Sequence, residues 1–262
     1  MKPLLVVPLI LALAACTTPP KPSGFLTSYE GLTPRKNTLR AKLSERQDAE
    51  ALKAVKTVRI EPTRIHPSAQ ADWLSEEERA LLLREADAQL CFELSERYDI
   101  AKEGQGDARV RAAVTQVEGT GRVASAASAA AGFFIPGPLG LRAPGSLGAL
   151  AAEAEMLTPD GRQLAAITWA RAATAVGTDD PSLSRIGDAL QFLEPFADDA
   201  AKAMSPPKTK SRKIPDPDPC AEYGPRFRAA GWATGKVTGL YVPEVNSAKP
   251  PEEPPKEAPP QK

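Results

Sequence analysis

The sequence predicts an α+β fold: a small antiparallel sheet with a long amphipathic helix and a C-terminal helix packed on one face, followed by an extended proline-rich tail. Three observations carry that expectation. Apolar residues alternate with polar ones in several stretches, they recur at helical spacing in two others, and nearly half of the 27 prolines lie beyond Met204. The coarse order is one strand, a helix, three strands and a second helix.

The first strand is read in "AVKTVRIEPTRI", where Val58 and Ile60 point one way and Thr57, Arg59 and Glu61 the other, with Pro62 and Pro67 ending it. "SEEERALLLREADAQLCFELSERY" is the clearest helix. Ser75 and Glu78 form a capping box, Glu76 and Glu77 complement the dipole, and Leu82, Leu83, Ala86, Leu90 and Leu94 share one face. In "DARVRAAVTQVEG", Val110, Ala112 and Val114 alternate with Arg109 and Arg111, as a half-buried strand requires. "LGALAAEAEMLTPDGRQLAAITWARA" reads as a hairpin: Leu150, Ala152, Ala154 and Met156 take one face, Glu153 and Glu155 the other, and Pro159-Asp160-Gly161 makes the turn. The second helix is expected in "DDPSLSRIGDALQFLEPFADDAAKAM", capped near Asp180, with Pro181 in its first turn and Pro195 kinking or dividing it.

The N-terminus has Lys2, an apolar run from Leu4 to Leu13 and small residues Ala14 and Ala15, the layout of a secretory signal. About a dozen apolar residues are too few for a bilayer span, which needs ~20. Leu13-Ala14-Ala15-Cys16 resembles the bacterial lipobox. That resemblance implies acylation of Cys16, cleavage before it and, with Thr17 in place of Asp, an outer-membrane position facing the periplasm. The resulting divisions are a signal peptide (1–15), a lipidated tether and N-terminal arm (16–54), the α+β domain (55–204), a linker with a docked C-terminal arm (205–249) and a disordered proline-rich tail (250–262). Within the arm, "SGFLTSYEGL" has Phe25, Leu26, Tyr29 and Leu32 as its apolar points; a solvated linker is the default near a terminus, and docking of these residues on the domain is the alternative.

With 33 basic and 33 acidic residues the net charge is zero, so no electrostatic argument for nucleic-acid binding stands. Cys91 and Cys220 remain once Cys16 is lipidated, in a compartment that permits disulfides. We expect them to pair; two separate buried thiols are the alternative. The segments "SGFLTSYEGL", "VRIEPTRI", the long helix and "PDGRQLAAITWA" together resemble the bacterial lipoprotein family catalogued as domain of unknown function 3313, over roughly residues 23 to 204. That resemblance implies an envelope location and carries over no catalytic residues.

The lone His66 sits before Pro67 in "RIHPS" with no distinctive partners, and one His with two distant Cys lacks the ligand spacing of a zinc site. "GTGRVA" matches a dinucleotide-binding pattern, but that mechanism needs a helix opening there and an acid some twenty residues on; position 144 is Pro. "GQGDAR" lacks the third glycine. Asp179-Asp180 reads as a helix cap and Asp198-Asp199 as a solvated helix face. In "SAASAAAGFFIPGPLGLRAPGSLG", glycines and prolines deny regular structure, and Phe133, Phe134, Ile135 and Leu139 need cover: the loop folds on its own sheet or serves as a partner or membrane contact. No catalytic, cofactor-binding or metal residue is expected. The functional expectation is a non-enzymatic, lipid-anchored component that binds or supports another envelope component, with an envelope hydrolase or a carrier of a small apolar ligand as alternatives.

Overall fold

Strand alternation and one long capped helix decide the architecture, which was obtained as a computed structural model. It describes residues 20–38, 40–104, 106–132, 140–142, 145–177 and 179–249. In chain order the elements are β1 (Thr33–Pro34), β2 (Ala41–Gln47), α1 (Ala49–Leu52), β3 (Thr57–Ile60), β4 (Arg64–Ile65), α2 (Glu76–Ser95), β5 (Asp99–Ile100), β6 (Ala108–Glu118) and α3 (Arg122–Gly132). There follow β7 (Gly140–Leu141), β8 (Ala149–Leu157), β9 (Gln163–Ala172), β10 (Val176–Gly177), α4 (Gly187–Ala203), α5 (Ala229–Thr238) and α6 (Pro243–Asn246).

Among the described residues, eight strands make one open sheet in the order β1-β2-β9-β8-β6-β3-β5, with β4 also paired to β6. The α+β class holds, but the sheet is wider than the small antiparallel one expected, and it is mixed. β6, β8, β9 and β2 are antiparallel neighbours, whereas β3 and β4 run parallel to β6. The cause is α2, whose twenty residues carry the chain back across the sheet before β6 begins, a crossover that a hairpin cannot make.

The helical face buries what the alternation put there. Val58, Val110, Val114, Leu150, Met156 and Ile167 meet Leu82, Leu90 and Leu94 of α2 and Phe192, Leu193 and Phe196 of α4 in a single apolar cluster. Ser75 and Glu78 close the capping box at the start of α2. Trp169, wholly buried, packs on Phe196 at 5.8 Å between ring centres and donates its indole N–H to Asp199 Oδ2 at 2.9 Å.

Several local expectations need correction. Residues 41–47 were assigned to the arm because the segment is charged, yet they form β2 and pair along β9 from Ala41↔Arg171 to Gln47↔Ala165. Their charges are absorbed laterally: Arg35 bonds Glu45 and Asp199, and Arg46 reaches Gln163 Oε1 at 2.7 Å. Helix α4 starts at Gly187, not near Asp180, and runs through Pro195 without dividing. Residues 125–132, read as irregular, belong to α3, because the six alanines of α3 (Arg122–Gly132) outweigh the glycines and prolines that follow them.

The arm covers the middle of the opposite face of the sheet, over β6, β8 and β9. Ser23 Oγ and Tyr29 Oη donate to Glu153 at 2.7 and 2.6 Å, and Thr27 N–H donates to Glu155 at 2.9 Å. Phe25 and Leu26 pack on Ala113 and Ala166. Both glutamates are fully buried there, where they accept hydrogen bonds and an ion pair from Arg111 and so keep their charge out of water at tolerable cost.

Candidate functional site

Residues 205–249 wrap across the outer side of α2 as a strap, and its fastenings frame a concavity. Cys220 is bonded to Cys91 of α2, with 5.9 Å between their Cα atoms. The expected pairing is therefore present. Arg226 pairs with Asp218 at 2.8 Å, donates to Phe92 O and Ser95 Oγ, and lies 4.8 Å above the Phe92 ring. Arg228 bonds both carboxylate oxygens of Glu85, at 2.8 and 3.0 Å; Glu85 is only 2% exposed and also accepts from Gln89 Nε2 and Ala248 N–H. Farther along, Tyr241 N–H donates to Pro181 O at 3.0 Å, and Ser182 Oγ donates to Tyr241 O.

Between the strap and the α2–α4 pair lies a groove of about 720 Å³. Its walls carry Glu93, Glu96, Glu194 and Asp198, and its rim carries Phe227 and Trp232, 69% and 60% exposed. Burial pushes the Glu93 carboxyl up to about 7, helped by repulsion from Asp198, Glu96 and Glu194 and opposed by Arg97. Glu93 has no hydrogen-bond or ion-pair partner among the described residues, whereas Asp198 is paired with Lys202. None of the described lining residues is a Ser, Thr, Cys or His. The chemistry available is therefore attraction of positive charge, aromatic stacking and uptake or release of one proton near neutrality.

His66 lies elsewhere. It caps the short turn Pro67–Ala69 and bonds Ser68 through Nδ1, with Phe25 edge-on at 6.4 Å. The "GTGRVA" segment does open a helix, α3, but Gly121 serves packing: a Cβ there would stand 1.8 Å from Gly145 O. Its Thr120 joins a buried network in which Asp188 pairs with Arg142 and accepts from Gly148 N–H at 2.7 Å. In "GQGDAR", Asp107 accepts the N–H groups of Lys56 and Thr57, each at 2.9 Å, and so closes the loop on β3. Asp179 is ion-paired with Arg171 instead of capping a helix, and Asp199 is tied to Trp169 and Arg35 instead of facing water. Cys16, Phe133, Phe134, Ile135 and Leu139, and the tail from residue 250 onward, lie outside the described residues. Among the described residues no group of three or more His, Cys, Asp or Glu is placed to hold a metal, and no helix is long and apolar enough to cross a membrane.

The sequence profile of DUF3313, a protein family of unknown function, matches residues 21–200. The chain belongs to the DUF3313 family. Within this DUF3313 chain the match takes in the acidic wall of the groove but stops before the strap that supplies its aromatic rim. No curated protein matches it. Among solved structures it is loosely similar to the PelC dodecamer from Paraburkholderia phytofirmans, at 10% identity over 66% of this chain and 99% of that one, with a TM-score of 0.36. A PelC dodecamer carrying one substitution gives the same identity and coverage at 0.35.

The groove was not legible in the sequence. Its acids sit on the polar faces of two helices some hundred residues apart, and solvated faces look the same. Trp232 and Phe227 carried the one usable signal: two large aromatics in a chain that is only 5% aromatic.

Proposed function

We propose that this protein is a lipid-anchored component of the outer membrane, acylated at Cys16 and facing the periplasm, that binds a partner in the envelope and does not turn over a substrate. The partner presents a positively charged segment to the groove beneath the strap. The observation that carries this reading is the strap itself. Its disulfide and its buried Arg228–Glu85 pair hold Trp232 and Phe227 in water beside unpaired Glu93; large apolar side chains left exposed together mark contact surfaces, and Trp is among the residues that most often carry binding energy. Two features support the envelope address: a Cys91–Cys220 bond suits an oxidising compartment, and the Leu-Ala-Ala-Cys pattern ends a signal-like run.

The test has two arms. Radiolabelled palmitate should enter the wild-type chain and not the Cys16→Ser variant. A photo-reactive amino acid at position 232, in intact cells, should give a defined adduct that is lost when Glu93 and Glu194 are both changed to Lys. No adduct above that from exposed position 72 would remove the groove from the proposal, and labelled Cys16→Ser would remove the anchor.

A further inference from the structure

The face of the sheet opposite the helices is basic, although the whole chain is neutral. Strand alternation places Lys42 and Arg46 of β2, Arg59 of β3, Arg64 of β4 and Arg109 and Arg111 of β6 on that side, because Leu43, Val58, Val110 and Ala112 point into the helical cluster. The acids there are largely spent. Glu153 and Glu155 are buried under the arm and Glu61 pairs with Arg109 at 3.2 Å; Glu118, hydrogen-bonded among the described residues only to the neutral Gln116, keeps its charge at the far end of β6. Lys42, Arg59 and Arg64 have no carboxylate partner among the described residues.

The most developed spot on this face is a shallow cavity of about 480 Å³ lined by Gly24, Phe25, Leu26, Arg64, His66 and Arg111. The guanidinium groups of Arg64 and Arg111 lie 4.8 and 4.9 Å from the centre of the Phe25 ring. Arg111 is already committed to Glu155, so the charge of Arg64 is the one left to a ligand. A planar guanidinium held by stacking, beside an imidazole, suits a phosphate oxygen.

The tether says which phosphate. Ser23 is fixed to Glu153 on this same face, and it stands only seven positions after Cys16. Fully extended, those seven steps reach roughly 25 Å at ~3.5 Å each. We propose that this basic face lies against the bilayer holding the anchor, with Arg64 taking the phosphate of an anionic phospholipid headgroup. The inference rests on acylation of Cys16. It also turns the strap and groove, on the other side of the sheet, toward the periplasm.

Acylated full-length protein, purified from membranes and placed in phosphatidylcholine vesicles with or without phosphatidylglycerol, tests this by hydrogen exchange, with flotation as the separate measure of anchorage. Flotation should occur in both lipids. Exchange in residues 24–26 and 64–67 should slow by on the order of tenfold with phosphatidylglycerol, given the attraction of a few basic residues to an anionic surface. The slowing should vanish in high salt, in Arg64→Glu and in the milder Lys42→Glu, while exchange in α2 and α4 stays unchanged. Equal exchange in the two lipids by floating protein overturns the headgroup site and leaves the anchor standing. Slowing by inorganic phosphate alone, in phosphatidylcholine, overturns its assignment to lipid. Failure to float overturns the anchor itself.

Discussion

Single carboxylates show how environment separates residues that read alike in a sequence. Glu85, Glu93, Glu153 and Glu155 all sit in alternating or helical patterns where a glutamate marks the wet side. Three of them are buried and met by arginines or by arm hydroxyls; Glu93 is half-buried and met by other acids, and its carboxyl is pushed up to about 7. Its unfolded counterpart titrates near the ordinary glutamate value of ~4.3, so between that pH and about 7 the unfolded chain is ionised while the native one holds the proton. The native state therefore loses stability as pH rises through this window. Glu93→Gln is expected to match wild type at pH 4 and to be more stable at pH 8 by about 1 kcal/mol, a figure discounted for solvent screening of a half-exposed group. Urea melts at the two pH values check it, and an equal effect at both would refute the assigned cause.

Among the elements, the strap and the arm do unlike work with similar means. Each is an irregular segment whose backbone and side chains find partners on a helix or a sheet face, and neither has a periodic pattern to announce it. The strap depends on a cross-link spanning 129 residues. Replacing Cys91 and Cys220 by Ser together should cost about 2–4 kcal/mol, since a long loop is released in the unfolded chain. It should also open the strap to protease at Arg226 and Arg228 before the sheet unfolds, visible as an early C-terminal cut in limited digestion. Helix α2 was readable to its capping box because cap, charge and apolar spacing all agree within twenty residues. Strand β2 was not, because only Ala41 and Leu43 of its seven residues are buried, and the groups that meet its charges lie outside the strand: Arg35 for Glu45, and Gln163, far along the chain, for Arg46.

At the scale of the whole molecule, the arm fastens the sheet, and a chain starting at Pro20, which keeps every arm contact described, is the reference for truncation. A chain starting at Leu32 should melt several degrees lower, because Glu153 and Glu155 would lose Ser23, Thr27 and Tyr29. Scanning calorimetry distinguishes the two. By itself the sequence determined the α+β class, the long capped helix and the central strands, since each depends on residues close together, and it left Cys91 and Cys220 as a pair or as two separate thiols, a choice that the 5.9 Å approach of their Cα atoms settles. Tertiary structure alone decided the parallel β3–β6 pairing, the inclusion of β2, the burial of two glutamates under the arm, the groove beneath the strap and the basic opposite face. Those depend on which distant surfaces meet, and a charge shows in the sequence without the partner that neutralises it.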